Sequence, residues 1–286
     1  MLQLVEKEKQ IMPRLGGRKL LLRVQPRLPE ELKLGRDRFF DFLRENGLLV
    51  RKKRNRVRTT YSNHWLRKYP NLIKGYVPER AHQLWVSDIT YIETAEGFGY
   101  LSLITDGYSR KIIGWELGDS PEAKHTVSAL QKALSQLPKR NRNIFHHSDR
   151  GVQYCCDEYV KLLKNNHIQI SMTENGDPRE NAIAERINGI LKDEWLSQIK
   201  LRTRSEAREQ LERIIKIYNE KRPHSSLDMN TPHEAHGMNN ALKKHWKNYY
   251  KTHNKKKVNS FIASNETQVQ HYPKLKKEDQ IIEIKV

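Results

Sequence analysis

The sequence predicts an α/β fold, a mixed sheet with flanking helices, preceded by a small helical domain and followed by a basic tail. Three observations point to it. Three apolar, β-branched segments between residues 84 and 116 are separated by turn residues, the pattern of consecutive strands. From residue 120 onward, helical periodicity alternates with short strand-like runs, which implies crossovers within one sheet. The charge is also divided. Residues 1–75 hold 20 Lys/Arg and 7 Asp/Glu, residues 76–237 hold 22 and 23, and residues 238–286 hold 11 and 4, within a total of +19. A neutral middle between basic flanks suits a folded core with arms that bind a polyanion.

Residues 1–60 read as the helical domain. GGRKLLLRV is a short helix and PRLPEELKLG a connection. Arg36 to Asn46 sets Phe39, Phe40, Phe42 and Leu43 on one side and Arg36, Arg38 and Arg44 on the rest, with Gly47 suited to the C′ position. VRKKRNRVR, from Val50 to Arg58, follows. Its Arg51, Lys52, Lys53 and Arg54 are expected at DNA phosphates, which such residues neutralise without reading bases. Residues 61–80 form a basic, aromatic linker. Its Tyr61, Trp65, Tyr69 and Tyr76 could stack on bases, but packing onto a neighbouring domain is preferred.

The core, residues 81–237, opens with strands Leu84–Glu93, Tyr100–Thr105 and Lys111–Glu116. Ala95-Glu96-Gly97 joins the first two, and Asp106-Gly107, a strong hairpin signal, joins the next two. Asp106 is therefore assigned to turn structure over metal binding. Ser120-Pro121-Glu122 starts a helix, with Ser120 as N-cap and Pro121 at N1. Ala123, Val127, Leu130, Leu134 and Leu137 form its apolar stripe, and Pro138 stops it. A strand Asn143–His147 delivers Asp149. A short helix around Tyr159–Lys164, a strand His167–Met172 and a polar loop Thr173–Glu180, expected as a mobile flap, come next. Ile183, Ile187, Ile190 and Leu191 then follow at i, i+4, i+7 and i+8, an amphipathic helix. Glu185 lies off that stripe, and Asn181, Asn188 and Lys192 fall near it on the same face. Thr203-Arg204-Ser205-Glu206 is a capping box before a helix that buries Ala207, Leu211, Ile214 and Tyr218. It ends in YNEKRPHSSL, whose Arg222, His224 and Ser225 fit a helix terminator or a DNA-facing loop about equally. The tail, residues 238–286, is basic and poor in apolar residues, and is expected to be a helix followed by flexible chain.

Three carboxylates stand out. Asp88 interrupts the apolar strand LWVSDITYI, where an acid costs several kcal/mol unless paired or bound to metal. Asp149 sits at a strand end, and Glu185 on the polar face of a packed helix, with 35 residues between them. Together they offer hard oxygen ligands for two Mg2+. Two ions about 3.5–4 Å apart can activate a nucleophile and stabilise a leaving oxygen on phosphorus. His146 and His147 alternate along the strand before Asp149, one toward this site and one into the core, and are read as orienting groups rather than ligands. Cys155 and Cys156 are adjacent, so they neither staple the fold nor make a zinc site. No apolar run approaches the length of a membrane span.

WVSDITYI, TDGYSRKIIGW, HSDRGVQY, NAIAERINGILKDEW and YNEKRPHSSL, in that order, resemble a DDE transposase. More narrowly, they resemble the second-reading-frame protein of two-frame bacterial insertion sequences, whose catalytic core is similar to that of retroviral integrases. The resemblance is dense from Trp85 to Pro232. It implies a ribonuclease H-like fold, with Asp88, Asp149 and Glu185 as catalytic residues and metal ligands. It implies two Mg2+ ions, with Mn2+ able to substitute, and a helix-turn-helix-like role for residues 1–60. The implied partners are double-stranded DNA (element ends and target), further copies of the chain on that DNA, and an upstream-frame protein as a fusion. The implied place is the bacterial cytoplasm, at the nucleoid. Lys192, Asn181 and Asn188 are expected to contact the DNA end. A DNA-binding regulator without catalysis and a nuclease without strand transfer are the rival functions, and three intact carboxylates weigh against the regulator.

Overall fold

The computed structural model describes residues 1–50, 64–138, 143–174 and 178–239. Leu84–Thr94 (β1), Gly97–Asp106 (β2), Ile112–Gly118 (β3), Phe145–Ser148 (β4) and Gln169–Met172 (β5) form one sheet in the order β3-β2-β1-β4-β5. β1, β2 and β3 pair antiparallel through the two turns expected from the sequence. β4 runs parallel to β1, and β5 parallel to β4. The helices are Leu2–Ile11 (α1), Gly17–Val24 (α2), Arg36–Glu45 (α3), Ala123–Ser135 (α4), Val152–Cys155 (α5), Asp157–Asn165 (α6), Ala182–Glu194 (α7), Arg204–Lys221 (α8) and Pro232–His236 (α9). This strand order with helical crossovers is the ribonuclease H-like topology.

Alternation along the strands sends neighbouring side chains into two cores. Ile92, Leu101, Leu103 and Leu117 pack with Ile187 and Ile190 of α7 and with Leu211 and Ile214 of α8. Trp85, Ile104 and Ile113 pack on the other face, with Val127 and Leu130 of α4 and Tyr154, Tyr159 and Leu163 of α5 and α6. The amino-terminal helices join the α7/α8 layer. Val5, Met12, Leu15, Leu20 and Phe39 are fully buried in that same cluster. Trp195 Nε1 donates to the Ile11 carbonyl at 2.9 Å, and Arg23 Nη1 to the Lys221 carbonyl at 2.8 Å.

Several boundaries differ from the sequence expectations. α1 lies in a charged stretch to which no helix was assigned. Its Glu8 is buried because Arg23 and Arg27 reach it at 2.6 and 2.7 Å. Burial pushes that carboxyl up, but the two arginines outweigh burial and hold it below the usual range. α4 starts at Ala123 with Glu122, not Ser120, at its N-cap. Ser120 Oγ donates to Glu122 Oε1 at 3.0 Å instead, and Leu137 lies past the helix end. At α8 only half of the capping box forms. Thr203 Oγ1 accepts from the Glu206 backbone at 3.0 Å, while Glu206 Oε2 turns to the Arg202 N–H at 2.8 Å.

The linker packs as preferred. Leu66 and Tyr69 lie against the α4–α6 cluster, the Tyr76 ring meets Phe145 at 5.2 Å, and the Leu72 N–H donates to Ser171 Oγ at 2.9 Å. Trp65 does not pack, being 92% exposed. Tyr61, Arg51, Lys52, Lys53, Arg54, residues 175–177 of the expected flap, and the tail from 240 lie outside the described residues. Asp106 caps its own turn. Its Oδ1 accepts from the N–H groups of Tyr108 and Ser109 at 3.1 and 2.7 Å, and its Oδ2 from the His82 N–H at 2.7 Å. Ser109 Oγ and His82 Nε2 in turn meet the two nitrogens of His236 at 2.9 and 3.1 Å, which docks α9.

Candidate active site

Sheet register places the first two carboxylates. Val86 pairs with His147 across the parallel β1–β4 ladder. That is the last rung of the ladder; Asp88 and Asp149 each lie two residues beyond it, and Asp149 is near enough for its charge to bear on the Asp88 carboxyl. Asp88 is the partner of Leu103 in the β1–β2 ladder and so faces the α7 layer. At Asp149 the chain leaves β4 in a turn closed by the carboxylate itself, with the Gly151 N–H donating to Asp149 Oδ1 at 2.9 Å. His64 Nε2 donates to the next carbonyl, that of Arg150, at 2.7 Å, and so ties the linker to this corner.

α7 is fastened over the pair at two points. Asn181 Nδ2, at its N-cap, donates to the Ser87 carbonyl at 2.9 Å. Asn188 Nδ2 donates to Asp88 Oδ2 at 2.7 Å. Glu185 lies between them, four residues after one and three before the other, so all three share a helix face. Glu185 is exposed, and both asparagines are buried. Asn181 and Asn188 were expected at DNA, but each is only 5% exposed and its amide is engaged within the protein. Their polarity serves to dock the helix, because an apolar side chain there would leave the Ser87 carbonyl and Asp88 without these donors.

The electrostatics agree with this geometry. Burial and then the nearby Asp149 push the Asp88 carboxyl up to about 7, against the donation from Asn188, and Glu185 adds a smaller push in the same direction. Among the described residues no three acidic, histidine or thiol groups stand together as a ready-made metal cage. Glu185 is the weaker of the two anionic influences on Asp88. The donor types still fit a hard divalent cation: the Asp88 and Asp149 carboxylates lie near each other and α7 carries Glu185 on the face above them, all oxygen ligands of like charge.

Both histidines are fully buried. His146 faces α5 and α6, where its Nε2 lies 2.7 Å from Ser87 Oγ and 2.8 Å from Tyr159 Oη. His147 faces the α7 side, with Nδ1 2.8 Å from Ser171 Oγ. Burial pushes them down to about 3 and about 4, so both are neutral at neutral pH. The Ser87–His146–Tyr159 network beneath the aspartates was not anticipated; a serine and a histidine facing one another across β1 and β4 were its only trace. Arg222 and His224 are 0% and 6% exposed. Arg222 grips Glu194 through Nε at 2.7 Å and Nη2 at 2.6 Å, so the terminator reading of YNEKRPHSSL holds and the DNA-facing one does not for Arg222.

Known proteins share this arrangement of segments. Two family models, each described as an integrase core domain, match residues 78–178 and 166–232. The insertion element IS600 uncharacterized 31 kDa protein of Shigella sonnei is 37% identical over 214 residues, covering 73% of this chain and 78% of that protein. The chain belongs to the DDE transposases of bacterial insertion sequences. Within the family, the transposase for insertion sequence element IS629 of Shigella sonnei is 34% identical over 189 residues, 66% of this chain and 62% of that protein. Among solved structures, the HTLV-2 integrase catalytic core domain in complex with magnesium is 18% identical, with a TM-score of 0.43, covering 55% of this chain and 97% of that one.

Proposed function

We propose that this chain is a Mg2+-dependent transposase that cuts DNA at the ends of its insertion sequence and joins the freed 3′ ends to target DNA. The observation that carries this reading is the nearness of Asp149 to the buried Asp88, each two residues beyond the last β1–β4 rung, beneath the α7 face that bears Glu185. Asp88 and Asp149 would hold one Mg2+ jointly, and Glu185 would complete a second position. When bound, the metal supplies an acidified water and a sink for charge on the leaving oxygen. The protein's own residues do the rest. Asn188 holds the Asp88 carboxylate in one orientation, Asn181 fixes the start of α7, and the neutral His146 and His147 brace the strand without adding charge. A water and then a DNA 3′-OH attack phosphorus at the same place, each displacing one oxygen. Arg51, Lys52, Lys53 and Arg54, in the helix-turn-helix-like segment 1–60 and its edge, contact phosphates. The active form is an assembly of several copies on DNA, and an upstream-frame fusion supplies further recognition of the element ends.

The test is a strand-transfer assay on duplexes carrying the terminal sequences that flank the gene, with Mg2+ and with EDTA. Joined product is expected only with the metal. Nicking without any joining would favour the nuclease, and tight binding with neither would favour the regulator.

Lys192 follows Glu185 by seven residues, a rotation only about 20° short of two turns and a rise of about 10 Å. A DNA end with its scissile phosphate at the carboxylates runs past that position. Lys192→Ala is therefore expected to lower joining on the order of 100-fold, the cost of misplacing reactants by about 1 Å, with little change in overall DNA affinity. Lys200→Ala on the same substrate is the comparison, and equal losses in the two variants would refute the positional role.

A further inference from the structure

Where α2, α7 and the loop after α8 come together, the positive side chains outnumber the negative ones. Glu194 is occupied by Arg222 through both of its oxygens. Lys19 precedes Arg23 by one turn on α2, so the two share a face. Arg23 donates to the Lys221 carbonyl at 2.8 Å, which lays that face against the end of α8. Arg186 follows Glu185 directly on α7. Lys19, Arg186, Arg222 and His224 are close enough for their charges to bear on one another. Among the described residues, neither Lys19 nor Arg186 forms an ion pair. His224 is 6% exposed, its ring lies edge-on to Tyr218 at 5.5 Å, and its Nε2 has no hydrogen-bond partner.

We infer that Lys19, Arg186 and His224 Nε2 form a phosphate-binding site that takes a backbone phosphodiester of the bound DNA. A buried ring nitrogen without a partner marks a polar contact still to be made. Lys19 and Arg186 beside it define the sign of that contact, since Glu194, the anion that bears on Lys19, is already held by Arg222. A phosphate oxygen can accept from an ammonium, a guanidinium and a neutral imidazole in its Nε2–H form at once. Burial and then Arg222 push the Lys19 ammonium down to about 8, and an anion between Lys19 and Arg186 would relieve that repulsion. DNA is the favoured source because Arg186 adjoins Glu185, so a duplex end engaged at the carboxylates passes this corner. That choice of source rests on the proposed transposase function; the site itself does not.

The test reads binding, not catalysis, so its failure is separable from a failure of strand transfer. The full chain and its Lys19→Gln, Lys19→Arg, Arg186→Gln and Lys200→Gln variants are titrated with a labelled duplex from about 50 to 200 mM salt. Lys19→Gln and Arg186→Gln are each expected to reduce the slope of log K against log salt by roughly 0.9, the value of one lost phosphate contact. Lys19→Arg should keep the slope, and so should Lys200→Gln, which alters an exposed lysine elsewhere. In a second arm, inorganic phosphate replaces chloride at fixed ionic strength and thermal unfolding is followed. If phosphate protects the parent chain but not Lys19→Gln while the DNA slope stays unchanged, the site takes free phosphate and the DNA assignment falls. If correctly folded Lys19→Gln and Arg186→Gln change neither slope nor phosphate protection, or if Lys200→Gln flattens the slope equally, there is no such site.

Discussion

Asp149→Asn, Asp88→Asn and Glu185→Gln are each expected to abolish cleavage and joining while leaving duplex binding intact or slightly tighter. In the proposed mechanism each substitution removes one oxygen ligand and one negative charge from a site that would hold cations and receive a polyanion. Product gels and binding isotherms on the same DNA check this, and retained joining in any of the three would remove that residue from the site. Asp88→Asn carries a second expected result that does not depend on activity. The Asp88 carboxyl ordinarily titrates near 3.8 but is held at about 7 in the folded chain. The folded state therefore binds the proton more tightly than the unfolded state. Stability falls as pH rises from about 4 through 7, and the full deficit is present above that. At about 1.36 kcal/mol per unit, that deficit is on the order of 4 kcal/mol as an upper limit. Asparagine abolishes it. The metal-free Asp88→Asn protein should then melt higher than the parent at pH 8, with a much smaller gain at pH 5. Calorimetry in EDTA at the two pH values decides the matter, and an equal gain at both would show that the carboxylate is not strained by burial and Asp149.

Glu194→Ala is expected to destabilise the fold by about 3–5 kcal/mol, because it leaves the guanidinium of Arg222 buried without its anion. Arg222 is wholly buried and held through Nε and Nη2 by both oxygens of Glu194, and its guanidinium lies 5.9 Å from the Tyr218 ring centroid. Replacing both partners, Glu194→Leu with Arg222→Met, should recover most of that loss, since an apolar pair of similar volume removes the desolvation cost along with the attraction. Urea unfolding measures both variants. A loss below about 1 kcal/mol in Glu194→Ala would mean that water reaches Arg222.

Parts of this protein were legible from residue order and parts were not, for a physical reason. β1, β2 and β3 announce themselves because β-branched runs and Asp106-Gly107 act locally, within a few residues. Asp88 and Asp149 were legible as site candidates because a carboxylate in an apolar strand or at its exit is costly without a role. Local signals failed where a distant partner decides the outcome. Glu8 looks like a surface acid until Arg23 and Arg27 close on it. Asn181 and Asn188 look like surface amides until β1 offers a carbonyl and a carboxylate. Arg222 looks like a DNA contact until Glu194 arrives from another helix. The alternation of His146 and His147 was legible, but the burial of both was not, because β4 is an interior strand covered on both faces.

The two fastenings of α7 also govern where the chain tolerates a change in length. The distance in sequence from Asp149 to Glu185 is spent on α5, α6 and β5, yet none of these sets the gap between the two carboxylates. The β1–β4 register holds one end, and the Ser87 carbonyl and Asp88 hold the other. Residues added or removed between Met172 and Asn181 leave both anchors in place. One residue inserted between Phe145 and Asp149 does not, because a shift by one turns every following side chain in the strand to the opposite face. Asp149 would then point toward α5 and α6. Divergent copies of this chain should therefore keep a fixed count within β4.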